Sequence, residues 1–276
     1  MGTSLRLGAS SIALSDSQLD YLADHKTDED EIILQICHIL ERVPLPGCFP
    51  SELLAGMQQN EEIIGHLSNH MNSSVGEVRD QMLAKRLDRM LVASLAAHMS
   101  SGANCLETGT FEGFTSFCIL YGMHRAKNSQ SLLFSIDLPT SDQVTQVHHI
   151  KGSKIGSCVP DSMRDRFILV IEDAKLAMPR ILKDYPVGMF IHDSLHTITH
   201  QMLEYVLARA FMPKGAFICS DDILWNSAFI SFVEMFKLPF WVCRSNPNYG
   251  IALNMPHPLE QRYAWGPINL QHYLAK

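Results

Sequence analysis

A mainly parallel α/β sheet behind a helical N-terminal extension is the fold class that this 276-residue chain predicts. Three observations lead there. From Asn104 onward, short apolar runs alternate with helical patterns. One run, Cys105–Glu107, passes straight into a glycine-bearing turn and a helix start, Thr-Gly-Thr-Phe-Glu-Gly-Phe-Thr-Ser-Phe117. The last two runs, Phe240–Cys243 and Tyr249–Leu253, are separated only by Arg244-Ser-Asn-Pro-Asn248. Strands alternating with helices bury a parallel sheet on both faces. So short a final connection has no room for a crossover helix, and the last strand must return antiparallel.

Taken in order, the first hundred residues read as helical throughout. Thr27-Asp-Glu-Asp30 is a helix start with acidic residues in its first turn, where the helix dipole favours them. Ile32, Ile33, Ile36, Ile39, Leu40 and Val43 then recur at helical spacing until Pro44 and Pro46. A second helical stretch opens near Ser51, and a third is expected from about Ser74 to Met99, with Val75, Val78, Met82, Leu87, Leu91, Ala93 and Leu95 on its apolar face. Seven strands follow: Cys105–Glu107, Leu132–Asp137, Phe167–Ile171, Gly188–His192, Ala216–Cys219, Phe240–Cys243 and Tyr249–Leu253. The expected organisation is a helical extension or lid over residues 1–100 and a ligand-binding sheet domain over 101–276.

Composition narrows the function classes. The chain is 46% hydrophobic and 18% charged, enough apolar material for a sizeable core. A net charge of −7 and a pI near 6.0 argue against a nucleic-acid partner, since no basic stripe is present to neutralise phosphates. The seven cysteines include no C-x-x-C pair, which reads as buried thiols in a reducing compartment. With no apolar run of membrane-spanning length, and only the short mixed run Ile12-Ala-Leu14 near the start, the expectation is a cytoplasmic protein without membrane contact. Homodimerisation through the apolar N-terminal helices is a further expectation.

The chemistry starts at the first strand. Glu107 closes it, and Gly109 and Gly113 free the following backbone to pass close to a ligand. The spacing E-x-G-x-x-x-G differs from the dinucleotide fingerprint. A carboxylate two places before the glycine repels a pyrophosphate but pairs with an ammonium, so the expected cofactor is cationic, and S-adenosylmethionine fits. Ligands in such sheets sit outside the carboxyl ends of the strands. The residues at those ends are mostly acidic: Glu107, Asp137, Asp173, Asp193, Asp221 and Asp222. A single aspartate there is as well explained as a helix N-cap. The whole set calls for a cation, because crowded like charges cost stability without one.

Asp137, at the end of the second strand, is placed to accept from ribose hydroxyls. Asp173 is placed to accept from the adenine amino group, with Glu172 as its rival. Asp193, Asp221 and Asp222 close two neighbouring strands, and their hard oxygens suit Mg²⁺. In the alternative, Asp193 pairs with the cofactor ammonium while Asp221 or Asp222 caps the next helix. His196, close in sequence to Asp193, is a candidate general base. His192, inside an apolar strand, reads as a satisfied core residue; His148 and His149 are candidates for a substrate mouth.

Several segments together resemble the class I S-adenosylmethionine-dependent methyltransferases. They are Glu107-Thr-Gly-Thr-Phe-Glu-Gly-Phe-Thr-Ser116, Val159-Pro-Asp-Ser-Met-Arg-Asp-Arg166, Phe190-Ile-His-Asp-Ser-Leu-His196, Lys214-Gly-Ala-Phe-Ile-Cys-Ser-Asp-Asp-Ile223, Trp225-Asn-Ser-Ala-Phe229 and Asn248-Tyr-Gly-Ile251. Within that superfamily they look like the branch of macrocin-type sugar O-methyltransferases. The resemblance implies a Rossmann-like, mostly parallel seven-stranded sheet with the last strand antiparallel. It implies a cofactor set of Glu107, Gly109, Thr110, Gly113, Ser116, Asp137, Asp173 and Asp193, and a metal set of Asp193, Asp221 and Asp222. Residues 1–100 match no acceptor-binding region of that family. The function expected is methyl transfer to a hydroxyl of a sugar or other natural product, with Asp193 and His196 as catalytic residues and Mg²⁺ as a candidate assistant. Two alternatives stand beside it: intramolecular cyclisation of S-adenosylmethionine with release of methylthioadenosine, and a non-catalytic binding domain.

Overall fold

The computed structural model describes residues 13–82, 85–100, 102–128, 130–139 and 155–257. The N-terminal part holds α1 (Asp16–Asp24), β1 (Lys26–Thr27), α2 (Glu29–Ile39), α3 (Pro50–Gln58), α4 (Glu61–Met71), the single turn α5 (Val75–Glu77) and α6 (Leu87–His98). Then follow β2 (Asn104–Thr108), α7 (Phe114–Arg125), β3 (Leu133–Asp137), β4 (Phe167–Ile171), α8 (Ala174–Asp184), β5 (Val187–His192) and α9 (Ile198–Phe211). Strand β6 (Phe217–Ser220), helix α10 (Ala228–Phe236), β7 (Phe240–Cys243) and β8 (Gly250–Leu253) complete the fold.

The strands form one sheet in the order β1-β7-β8-β6-β5-β2-β3-β4. It is the Rossmann-like sheet expected: β2 lies between β3 and β5, all parallel, and β8 runs antiparallel to both β6 and β7. Among the described residues the sheet has eight strands, not seven. The extra one is β1, whose Lys26 and Thr27 pair in parallel with Val242 and Cys243. Two polar residues carry no apolar alternation, so nothing in the pattern marks them as a strand.

Successive strand residues feed opposite faces. Leu106, Phe134, Phe190 and Ile218 pack under α8, α9 and α10. Cys105, Leu133, Met189 and Phe217 pack against α2, α6 and α7. All seven cysteines are free and buried in this packing. No helix among the described residues is long and apolar enough to cross a membrane.

The helix expected over Ser74–Met99 is broken. Ser74 caps a single turn with Glu77, a π-type turn follows over Val78–Met82, and α6 starts only at Leu87. Both pieces place apolar residues at helical spacing, so their periodicities merge in the sequence. In space they serve different neighbours: α6 is buried from Asp88 to His98, wedged between two parts of the core. It lies so close to α7 that a β-carbon at Gly122 would stand 1.8 Å from the Ala93 carbonyl oxygen. That contact fixes α6, and with it Asp88 and Arg89, over the carboxyl edge of the sheet.

Candidate active site

A cavity of about 640 Å³ opens at the carboxyl ends of β2, β3 and β5, where parallel sheets place their ligands. Gly109, Asp137, Asp173, Asp193 and His196 line it. The turn after β2 is built by two glycines with positive φ, Gly109 at +85° and Gly113 at +86°. A β-carbon on Gly109 would fall 1.8 Å from the Asp193 carbonyl oxygen, and one on Gly113 would fall 2.8 Å from Gly156 Cα. Protein backbone therefore occupies the space these glycines leave. They allow the loop after β5 and the segment before β4 to close on the turn.

Glu107 lies fully buried beneath that turn. Its Oε2 accepts hydrogen bonds from the hydroxyls of Ser116 (2.5 Å) and Ser135 (2.6 Å), and Thr110 Oγ1 bonds Ser135 in turn at 2.7 Å. Its Oε1 has no hydrogen-bond partner. Burial pushes the carboxyl up to about 7, against the opposing pull of the two serine hydroxyls. At the next strand end Asp137 accepts from the Phe111 and Leu138 N–H groups, both at 2.7 Å, which sets the carboxylate at the cavity wall. Asp173 is the N-cap of α8, accepting from Lys175 N at 2.9 Å, and it lines the cavity as well. Glu172 is engaged by Arg180.

The three carboxylates of the expected metal set, Asp193, Asp221 and Asp222, are divided between two sets of partners. Arg89, from α6, lies against two of them: its Nη2 donates to Asp221 Oδ2 at 2.5 Å and to Asp193 Oδ2 at 3.4 Å. Asp222 turns the other way, accepting from Asn248 Nδ2 and standing 3.4 Å from His196 Nε2. Its backbone is left-handed, φ +54°, and Asn248 holds the turn by bonding the N–H groups of Ile223 and Leu224. No group of three or more His, Cys, Asp or Glu among the described residues is arranged to hold a metal ion. Nor do Asp221 and Asp222 cap the following helix, whose N-cap is Ser227. Part of the cation demanded by the crowded carboxylates is thus the protein's own. Burial alone would lower the Arg89 pKa, but Asp221 and Asp193 raise it, so the guanidinium is permanently charged.

His196 lines the cavity, and its carboxylate neighbour is Asp222, not the Asp193 expected. Burial, aided by His192, holds its pKa below the usual imidazole value, so it is neutral at neutral pH. His192 is the buried core residue foreseen, its Nδ1 2.6 Å from Glu204 Oε2. Glu204 also contacts His200 Nε2 at 2.7 Å and accepts from Thr108 Oγ1 and Ser194 Oγ. His148 and His149 lie outside the described residues.

Two site residues escape a reading of the sequence, Arg89 and Glu204. Each left a trace: Asp88-Arg89 is a charged pair leading into the apolar run Met90–Ala97, and Glu204 stands one helical turn after His200. A charge entering a buried helix must have a partner, but its identity is not local.

Residues 106–223 match a family model described as a methyltransferase domain. Among solved structures the chain is similar to apo CalS11, a TDP-rhamnose 3'-O-methyltransferase of calicheamicin biosynthesis. The identity is 13%, covering 88% of this chain and 97% of that one, with a TM-score of 0.50. It also matches an O-methyltransferase from Bacillus cereus in complex with SAH, at 13% identity, coverage of 84% and 98%, and a TM-score of 0.44. TomG, an O-methyltransferase from Streptomyces achromogenes in complex with SAM, matches at 15% identity, coverage of 71% and 91%, and a TM-score of 0.42. At 13% identity the likeness to CalS11 speaks for the fold alone. Among curated proteins nothing matches significantly.

Proposed function

We propose that this chain, which carries a methyltransferase domain on a class I fold, moves a methyl group from S-adenosylmethionine to a hydroxyl of a small molecule. The observation that carries this reading is one shared cavity. It joins Asp137 and Asp173 at the ends of β3 and β4 to Asp193 and His196 beyond β5. The residues fit the cofactor. Glu107, whose Oε1 has no hydrogen-bond partner, lies beneath the lining of the cavity and puts negative charge under an ammonium, Asp137 keeps free lone pairs for a diol, and Asp173 offers an acceptor at the adenine end. Gly109, Thr110, Gly113 and Ser116 shape the turn that holds Glu107 in place.

When bound, S-adenosylmethionine supplies a methyl already activated by its sulfonium. What this chain adds is orientation and proton removal. The neutral His196 turns Nε2 toward Asp222 Oδ2, 3.4 Å away, so the acceptor's proton goes to its other ring nitrogen, Nδ1, and Asp222 stabilises the imidazolium. Asp193, held by Arg89, stands at the cavity wall, where burial pushes its carboxyl well above the usual carboxylate range against the pull of the guanidinium. The segment over residues 1–100 serves as part of the site, because α6 delivers Arg89 to it.

Mass spectrometry with methyl-labelled S-adenosylmethionine and a panel of hydroxylated small molecules tests this reading. Labelled product is expected, and His196→Ala should lower turnover by about 10²–10⁴-fold while leaving adenosylhomocysteine affinity unchanged. Methylthioadenosine formed from S-adenosylmethionine alone would overturn methyl transfer in favour of cyclisation.

A second expected result concerns pH. The folded value of Glu107, about 7, lies above its ordinary 4.5. Ionising it therefore costs the ligand-free fold stability as pH rises from 4.5 through 7, and a bound ammonium offsets that cost. Adenosylhomocysteine affinity should rise with pH up to about 7, by at most about tenfold per unit, and then level off. Calorimetric titration at pH 6 and pH 8 measures it. A flat profile in the wild type, matching Glu107→Gln, would remove Glu107 from the ammonium site.

A further inference from the structure

We infer that Arg89 takes the place of a divalent cation at the ends of β5 and β6, so that Asp193 and Asp221 are organised by the protein itself and the site takes up no metal. The inference concerns the resident cation and does not depend on which acceptor is methylated.

Asp193 and Asp221 end adjacent parallel strands, paired through His192 and Ser220 one residue earlier, so their carboxylates are forced into proximity by the sheet register. Two such carboxylates need a cation between them or one of them must take up a proton. One atom, Arg89 Nη2, reaches both Oδ2 oxygens. Arg89 is 5% exposed and lies with its guanidinium carbon 5.2 Å from the centre of the Tyr249 ring. Asp88 Oδ2 stands 3.8 Å from Nη1 and accepts from Asn246, tying the same helix turn to the loop before β8.

A cation held this way cannot be shed as an exposed lysine could. Its helix is locked to α7 at Gly122, and its side chain is walled by the core. The third carboxylate has left the cluster, because Asp222 is engaged by Asn248 and faces His196. A hexacoordinate ion would have to displace a buried guanidinium and turn Asp222 back. Arg89 is in these terms a positioning residue: it orients the two carboxylates and makes the site conditional on α6 being docked.

Manganese titration of the purified full chain, followed by electron paramagnetic resonance, tests the inference, with adenosylhomocysteine calorimetry run in parallel. The wild type is expected to bind no Mn²⁺ tighter than about 1 mM, and its adenosylhomocysteine affinity should be the same with Mg²⁺ or with chelator. Arg89→Gln should gain a Mn²⁺ site at least tenfold tighter than any in the wild type, lost again when Asp221→Asn is added. Arg89→Lys, which keeps the charge, should exclude the metal as the wild type does. An Asp221-dependent Mn²⁺ site in the wild type would overturn the inference, and that measurement stands even if Arg89→Gln fails to fold. A folded Arg89→Gln with no gain would overturn it equally, because some group other than Arg89 would then be excluding the ion. Loss of adenosylhomocysteine binding in the wild type bears on the proposed function instead, and the metal titration is read independently of it.

Discussion

Gly109→Ala is expected to cost about 3–5 kcal/mol of stability, combining left-handed strain with overpacking against a backbone that cannot move aside. The β-carbon would fall 1.8 Å from the Asp193 carbonyl oxygen and 2.9 Å from Ser194 N. Relief requires the loop after β5 to withdraw from the turn after β2, which separates Asp193 from the rest of the cavity wall. Urea unfolding measures the loss, and Gly102→Ala is the control. Gly102 has nearly the same φ, +79°, but nothing within 4 Å of the added carbon, so only the strain of about 1–2 kcal/mol should appear. Equal losses at both positions would mean that the two loops do not touch. Adenosylhomocysteine binding should fall with stability in the first variant and persist in the second.

Glu204→Ala carries the second large effect. The carboxylate satisfies His192, His200, Thr108 and Ser194 at once beneath the cavity floor. Its removal strands those groups in the interior, a loss of about 3–5 kcal/mol at neutral pH. Burial works against the ionised carboxyl, but the bonds from His192 and His200 prevail and bring its pKa down to about 2. Because this value lies below the ordinary 4.5, the stability it contributes is complete above pH 4.5 and is lost as pH falls through 2. Chemical denaturation between pH 5 and pH 3 should therefore show a steeper decline for the wild type than for Glu204→Gln. Parallel declines would show that the carboxylate is not clamped by its neighbours.

The features legible from residue order are those that depend on near neighbours. Short continuous apolar runs mark β2 to β8, because strands covered on both faces are apolar throughout. Asp28 caps α2 as the acidic helix start foretold, since a cap acts within three residues. The strand-end carboxylates were visible for the same reason, as were Gly109 and Gly113, whose positive φ a tight strand-to-helix turn requires. Asp173 shows the limit: one residue is at once a helix cap and a wall of the cavity, and pattern cannot rank the two.

Residue order by itself determined the parallel sheet, its reversed final strand, the acidic carboxyl edge and the turn that holds Glu107. Tertiary structure alone decided what those groups meet. Arg89 is 132 residues from Asp221 in the chain, β1 finds its partner more than two hundred residues away, and the atoms facing Gly109 come from a loop after another strand. Strand and turn formation is governed by local sterics and burial, whereas the partner of a buried charge is chosen by whichever element the packing of the core brings beside it. The same carboxylates read in isolation ask for a metal; packed against α6, they already hold a guanidinium.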